Sequence, residues 1–147
     1  MAFTLSSTAF REGEAIPKQF TCEGGDSIPP LAVSEPPEGT RSFVLIMDDP
    51  DAPGGTFTHW LAYDIPSRGS DLDTNAGKSL QNSFRRQGYG GPCPPYGHGP
   101  HRYFFRLYAV DLPALRLAGD RREDLETALA PHKLGEAQMM GTYERRK

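Results

Sequence analysis

The sequence predicts a mainly β, single-domain protein with an antiparallel core and one peripheral helix. Three observations carry that prediction. Short, dense apolar and aromatic runs, too short for helices, recur along the chain. One of them, residues 101–110 (HRYFFRLYAV), alternates with the two-residue period of a strand, placing His101, Tyr103, Phe105, Leu107 and Ala109 on one face and Arg102, Phe104, Arg106 and Tyr108 on the other. The runs are not separated by the regular helical patterns of a parallel α/β fold. Between them stand 14 prolines and 16 glycines among 147 residues. They are neither periodic nor clustered in a low-complexity block, which reads as turns and ordered loops.

Taken in order, residues 3–8 predict an edge strand. Residues 41–48 (RSFVLIMD) hold the apolar run Phe43 to Met47, which suits a strand buried on both faces. Residues 57–65 (FTHWLAYDI) form an aromatic-rich strand that Pro66 ends. Strict alternation there would place Phe57, His59, Leu61 and Tyr63 on one face and turn Trp60 to the other, as packing. A helix is expected with Asp120 as its cap, Glu123 three residues on as in a capping box, and Leu125, Ala128 and Leu129 as its apolar stripe. Pro131 limits it. Residues 137–143 predict a late strand, and 144–147 a solvated tail.

The length predicts one domain spanning residues 1–147. A formal net charge of −3 argues against a nucleic-acid binder that works by counterion release. No apolar run reaches the ~20 residues of a membrane helix. The first eleven residues lack the basic start and apolar middle of a signal peptide, so the expected location is cytoplasmic. Cys22 and Cys93 form no CxxC and make no zinc site by themselves.

Three segments could carry chemistry. Asp48-Asp49-Pro50-Asp51-Ala52-Pro53 sits where a buried strand runs into a proline-stiffened turn, and stiffness holds a binding group in place before a ligand arrives. His59 lies in Thr58-His59-Trp60. Gly88-Tyr89-Gly90-Gly91-Pro92-Cys93-Pro94-Pro95 combines glycines that allow close backbone approach with prolines that rigidify a wall, and leads through His98 to His101-Arg102-Tyr103. Each alone also reads as ordinary structure: a solvated turn, a core histidine, a loop. His98 reads as exposed, and Arg102 as structural.

Together, in this order and spacing, these segments resemble the phosphatidylethanolamine-binding protein family, which includes the Raf kinase inhibitor proteins, in its short prokaryotic form. The segments Phe20-Thr21-Cys22-Glu23-Gly24, Pro29-Pro30-Leu31, Gly39 to Phe43, and Gly135 through Arg145 extend the likeness over nearly the whole chain. The resemblance implies a large central antiparallel or mixed sheet, a second smaller sheet and peripheral helices. It implies a small cavity for phosphate or a phosphorylated head group, a non-enzymatic role without cofactor or catalytic metal, and a kinase or serine protease as partner. A homodimer is also implied, for which the stripe Phe104, Arg106 and Tyr108 could serve. By motif, the ligand-binding residues would be Asp49, Asp51, His59, His101 and Tyr103, with Pro92 to Pro95 at the rim. It also places Cys22 and Cys93 near one another, leaving a disulfide and two free thiols equally open. Two departures stand out. Val33 replaces a usual tryptophan, and Phe84-Arg85-Arg86 replaces a small, glycine-containing stretch.

Two carboxylates beside an anion site should repel the ligand unless neutralised. The expected resolution is that Asp49 or Asp51 orients and protonates a histidine that then donates to the anion. A protonated carboxyl or the loop's backbone N–H groups are alternatives. Rival readings are a hydrolase, for which no GxSxG is present, a metal site built from two histidines and a carboxylate, and a protease inhibitor acting through its surface.

Overall fold

The computed structural model describes residues 2–146. Among the described residues, nine strands form two antiparallel sheets. The larger sheet has the order β7-β4-β3-β8-β9, from β3 (Ser42–Asp49), β4 (Phe57–Ile65), β7 (Lys78–Ser79), β8 (His101–Val110) and β9 (Lys133–Tyr143). The smaller has the order β1-β2-β6-β5, from β1 (Thr4–Ser6), β2 (Ala32–Ser34), β5 (Ser67–Arg68) and β6 (Asp71–Leu72). One helix, α1 (Arg122–Leu129), covers part of the outer face of the larger sheet.

Central β3 is buried at every position, as its unbroken apolar run requires of a strand covered on both faces. Its inner face and that of β8 meet the small sheet in one core, where Leu45, Met47, Phe105 and Leu107 pack with Leu5, Val33 and Leu72. Val33, the departure from the family's tryptophan, fills this inter-sheet layer and is 3% exposed. The outer face packs Val44, Ile46 and Leu61 under Leu125 and Leu129 of α1. The edge strand expected at residues 3–8 is the three-residue β1, and β9 begins four residues before the expected Ala137.

Two expectations are corrected. The helix starts one turn position later than the Asp120–Glu123 pairing implied. The Arg121 backbone N–H donates to Asp124 Oδ2 at 3.0 Å, so Asp124 supplies the side-chain half of the cap. Pro131 does limit the helix, which tightens into a 3₁₀ turn over Ala130–His132. The second correction lies in β4. Its pairing with β3 shifts between Met47↔Trp60 and Asp48↔Thr58, leaving His59 as an extra residue. That bulge turns Trp60 and Ala62 into the inter-sheet core that Tyr103 shares, and sends Leu61 and Tyr63 to the helix side. A second shift follows between Phe43 and Leu45, opposite Asp64, whose φ is 53°.

Candidate functional site

Strand alternation gives the two adjacent carboxylates opposite fates. Asp48 faces the helix side, where Arg122 holds both its oxygens, Nη1 at 2.8 Å and Nη2 at 3.0 Å. Asp49 faces the other way. Its Oδ1 accepts the Asp51 backbone N–H at 2.8 Å, and its Oδ2 accepts His101 Nδ1–H at 2.7 Å. His101 and Tyr103 stand two residues apart on the inner face of β8. The β4 bulge brings His59 to the same place, its ring 5.2 Å from that of Tyr103.

These groups line a cavity of about 180 Å³. Asp49, His59, His101 and Tyr103 supply its polar wall, while Pro53, Phe57, Phe84, Pro94 and Pro95 supply the apolar one. Phe84, from the stretch that departs from the family pattern, packs edge-on against His59 at 5.3 Å and Phe57 at 4.7 Å. From the sequence this stretch could add positive charge near the pocket mouth or be a solvated turn. The structure places an aromatic ring in the wall.

The glycine-rich segment forms the remaining wall and is tied down from outside. Tyr89 O–H donates to the Phe20 carbonyl at 2.6 Å, Gly91 N–H to Asp26 Oδ1 at 3.0 Å, and Cys22 N–H to the Pro92 carbonyl at 3.1 Å. A Cβ at Gly91 would lie 2.4 Å from the Phe20 carbonyl oxygen, so the close approach demands glycine. Cys22 and Cys93 form a disulfide, with Cα atoms 5.5 Å apart, and Cys93 lines the cavity.

Two sequence assignments change. Asp51 does not line the cavity. Its carboxylate takes Arg102 in a bidentate pair, Nε at 2.9 Å and Nη2 at 2.8 Å, and also accepts the Arg102 backbone N–H at 2.9 Å. Asp51 therefore braces the DPDAP turn against β8. Pro92 is buried behind the wall, and only Cys93 to Pro95 of that run reach the cavity. His98 is exposed in its loop, as expected, and also places Nδ1 2.6 Å from His101 Nε2, a contact that no local signal in the sequence announces. The tail is also tethered: Arg145 Nε donates to the Pro94 carbonyl at 2.6 Å and its guanidinium stacks on Tyr96. Lys147 lies outside the described residues.

The protonation states follow from partners. A carbonyl only accepts, so His59 Nδ1, 2.8 Å from the Gly90 oxygen, carries the hydrogen and Nε2 keeps its lone pair. Burial pushes the His59 pKa below 6.5, against the upward pull of the Gly90 carbonyl and of Asp49. Neutral His59 is thus an acceptor. Burial, then the Asp49 charge, push the Tyr103 hydroxyl's pKa upward, so it stays protonated. That hydroxyl is buried and makes no hydrogen bond of good geometry among the described residues, although the Asp49 carboxylate lies near enough to hold its proton. A buried donor without a well-made bond costs about 1–3 kcal/mol. Replacing Tyr103 by phenylalanine is therefore expected to leave stability unchanged or raise it by up to about 1 kcal/mol in urea unfolding, because at most a poorly aligned contact with Asp49 is lost.

Asp51 gives a pH prediction. The Arg102 guanidinium lowers its carboxyl from 3.8 to about 2. A depressed acid contributes stability that is complete above its unfolded pKa and is lost as pH falls through the folded one. Asp51 is 29% exposed in its side chain, which limits this contribution to about 1 kcal/mol. Asp51→Asn should flatten the acid-unfolding profile between about pH 4 and pH 2 by that amount. A profile unchanged from the parent would contradict the brace.

A two-sheet β fold with a small histidine- and tyrosine-lined cavity defines the class, and comparison with known proteins agrees: the family model described as phosphatidylethanolamine-binding protein matches residues 6–144, and the chain belongs to that family. Its relatives are of the prokaryotic type. A UPF0098 protein of Aquifex aeolicus is 49% identical, over 95% of this chain and 86% of that protein. LppC of Mycobacterium tuberculosis, which carries a lipoprotein name, is 41% identical over 96% of this chain and 72% of its own length. Among solved structures, the phosphatidylethanolamine-binding protein homologue CT736 of Chlamydia trachomatis matches with a TM-score of 0.88 and 37% identity, covering 98% of both chains. Escherichia coli YbcL matches at 0.84 and 29%, covering 98% of this chain and 99% of its own.

Proposed function

We propose that this chain is a binding protein whose cavity takes a small phosphoryl or carboxylate anion in its monoanionic form. The observation that carries the reading is the buried Tyr103 hydroxyl, without a well-made hydrogen bond, beside neutral His59. One donor and one acceptor in a cavity of about 180 Å³ suit a head group that both accepts and donates, such as a singly protonated phosphate. Asp49 opposes a dianion. Affinity for a phosphate ester is thus expected to fall as pH rises from about 5.5 to 8.5, through its second pKa near 6. Cys93, whose thiol would be the natural nucleophile of the wall, is held in a disulfide, which favours binding over covalent catalysis. Regulation of a kinase or protease would then run through capture of a phosphorylated group of that partner.

Of the two histidines that could donate to the anion, His101 has both ring nitrogens engaged, by Asp49 and by His98. An anion reaching His101 must displace His98. Calorimetric titration with inorganic phosphate tests both points. Tyr103→Phe should weaken binding about tenfold, the value of a hydrogen bond to a charged group. His98→Ala should strengthen it about fivefold by removing a competing bond worth about 1 kcal/mol. Phosphate affinity unchanged in Tyr103→Phe would overturn the reading.

Location belongs to the same proposal. No described helix is long and apolar enough to cross a membrane. Against the cytoplasmic expectation, a disulfide is at home in an oxidising compartment, and LppC carries a lipoprotein name. We infer export or a disulfide-tolerant cytoplasm, which cell fractionation distinguishes.

A further inference from the structure

The far side of the larger sheet carries a second, wider depression of about 740 Å³, between the loop 80–88 and the start of α1. Leu61 and Leu80 reach it, and Arg85, Arg121, Arg122 and Asp120 line it. With Arg122 taken up by Asp48, two arginines, Arg85 and Arg121, face one aspartate, Asp120, in a chain whose net charge is −3. Arg121 stands only loosely by Glu123, at 3.8 Å with both side chains mostly exposed. Arg85 has no ion-pair partner among the described residues.

The loop that presents Arg85 is fixed before any ligand arrives. The buried Asn82 side chain accepts the Phe84 N–H at 2.9 Å and donates to the Gly88 carbonyl at 2.9 Å. Arg85 itself sits at φ 65°, a left-handed conformation that side-chain-bearing residues rarely adopt. A charged residue held there by a closed hydrogen-bond network, pointing no charge at any internal partner, is a preorganised binding feature.

We propose that this groove binds an extended acidic peptide segment of a partner protein, with Arg85 and Arg121 as its anchors. The groove is open and predominantly polar, unlike the enclosed apolar pockets that take small molecules. Gln81 and Gln87, whose Nε2 groups already donate to the Arg85 and Ser79 carbonyls, offer their carboxamide oxygens to peptide N–H groups. The overall acidity of the chain disfavours a long nucleic acid, whose phosphates the rest of the surface would repel. The site is separate from the cavity described above, although loop 82–88 touches both, with Phe84 in the cavity wall and Arg85 in the groove.

The test is a ¹⁵N-edited NMR titration of the intact chain with acetylated hexaglutamate, with hexaglutamine and a dT6 oligonucleotide as comparisons. Saturable shifts at the amides of Ser83 to Gln87 and Asp120 to Arg122, weaker at raised salt and absent with hexaglutamine, are expected. In the double variant Arg85→Gly, Arg121→Glu the apparent Kd should rise at least tenfold. Glycine at 85 keeps the left-handed turn, so the loop's own spectrum reports that it stays folded. Phosphate binding at the cavity should be unaltered in that variant, which separates failure here from failure of the anion site. No saturable shift at millimolar hexaglutamate, equal affinity in the variant, or equal or tighter binding of dT6 would overturn the proposal.

Discussion

The double variant Cys22→Ser, Cys93→Ser is expected to unfold with a free energy about 4 kcal/mol below that of the oxidised parent. The bridge spans 71 residues of sequence, and closing so long a loop removes much of the unfolded chain's freedom. Urea titration of oxidised parent, reduced parent and variant measures this directly. The last two should coincide, and a difference from the oxidised parent below about 1 kcal/mol would contradict the entropic account. The bridge also anchors the cavity wall, but not alone. The hydrogen bonds of Tyr89, Gly91 and Cys22 to their partners remain after reduction. Phosphate affinity of the variant should therefore stay within about threefold of the parent at low denaturant.

Arg122→Ala is expected to cost about 2 kcal/mol, the penalty for taking its main partner from the buried Asp48 carboxylate when Arg122 itself is 34% exposed. Asp48 is 3% exposed and would keep only the Thr58 hydroxyl at 3.0 Å and Arg106 at 3.6 Å. Adding Asp48→Asn to Arg122→Ala should recover part of the loss, since no charge is then left buried. Thermal unfolding of the two variants checks the order. Equal stability of parent and Arg122→Ala would mean that Asp48 finds water or another partner. The pair also joins α1 to the mouth of the strand that ends in Asp49. Its loss would loosen the frame behind the cavity without touching its wall.

The elements most legible in the sequence are those whose pattern is set by burial on a regular strand. β8 occupies the predicted 101–110, with its inner and outer faces as read, and β3 is shifted by one residue from the predicted 41–48. The position of β4 was equally plain, but its faces were not. A strict two-residue period cannot anticipate a bulge, and the extra residue at His59 reverses the faces of Trp60 to Tyr63 until the second shift beside Asp64 restores them at Ile65. The short strands β2, β5, β6 and β7, of two or three residues, are too brief to show a period. They exist because the chain crosses the small sheet and the sheet edge, a tertiary fact.

The site divides the same way. Asp49, His59, His101 and Tyr103 lie on strands, and strand geometry brings them together. The residues whose partners the sequence did not foretell lie in turns or loops. Asp51 was read as a ligand because its type and place suit one, yet Arg102, on the outer face of β8, captures it. His98 reaches His101 through a loop conformation that four residues of glycine, proline and histidine do not dictate. Phe84 enters the wall because Asn82 folds the loop back on itself. Each is decided by a partner distant in sequence or by a turn with several allowed forms.

The central claim is that the cavity is an anion site built from His59, Tyr103 and His101. Its most direct test is to follow the ring protons of His59 and His101 by NMR while adding inorganic phosphate and O-phosphoethanolamine, with His101→Ala as control. Saturable shifts on both rings, with the His59 shift much weakened in the variant, are the predicted result. Unmoved ring signals at millimolar concentrations of either compound would contradict the account.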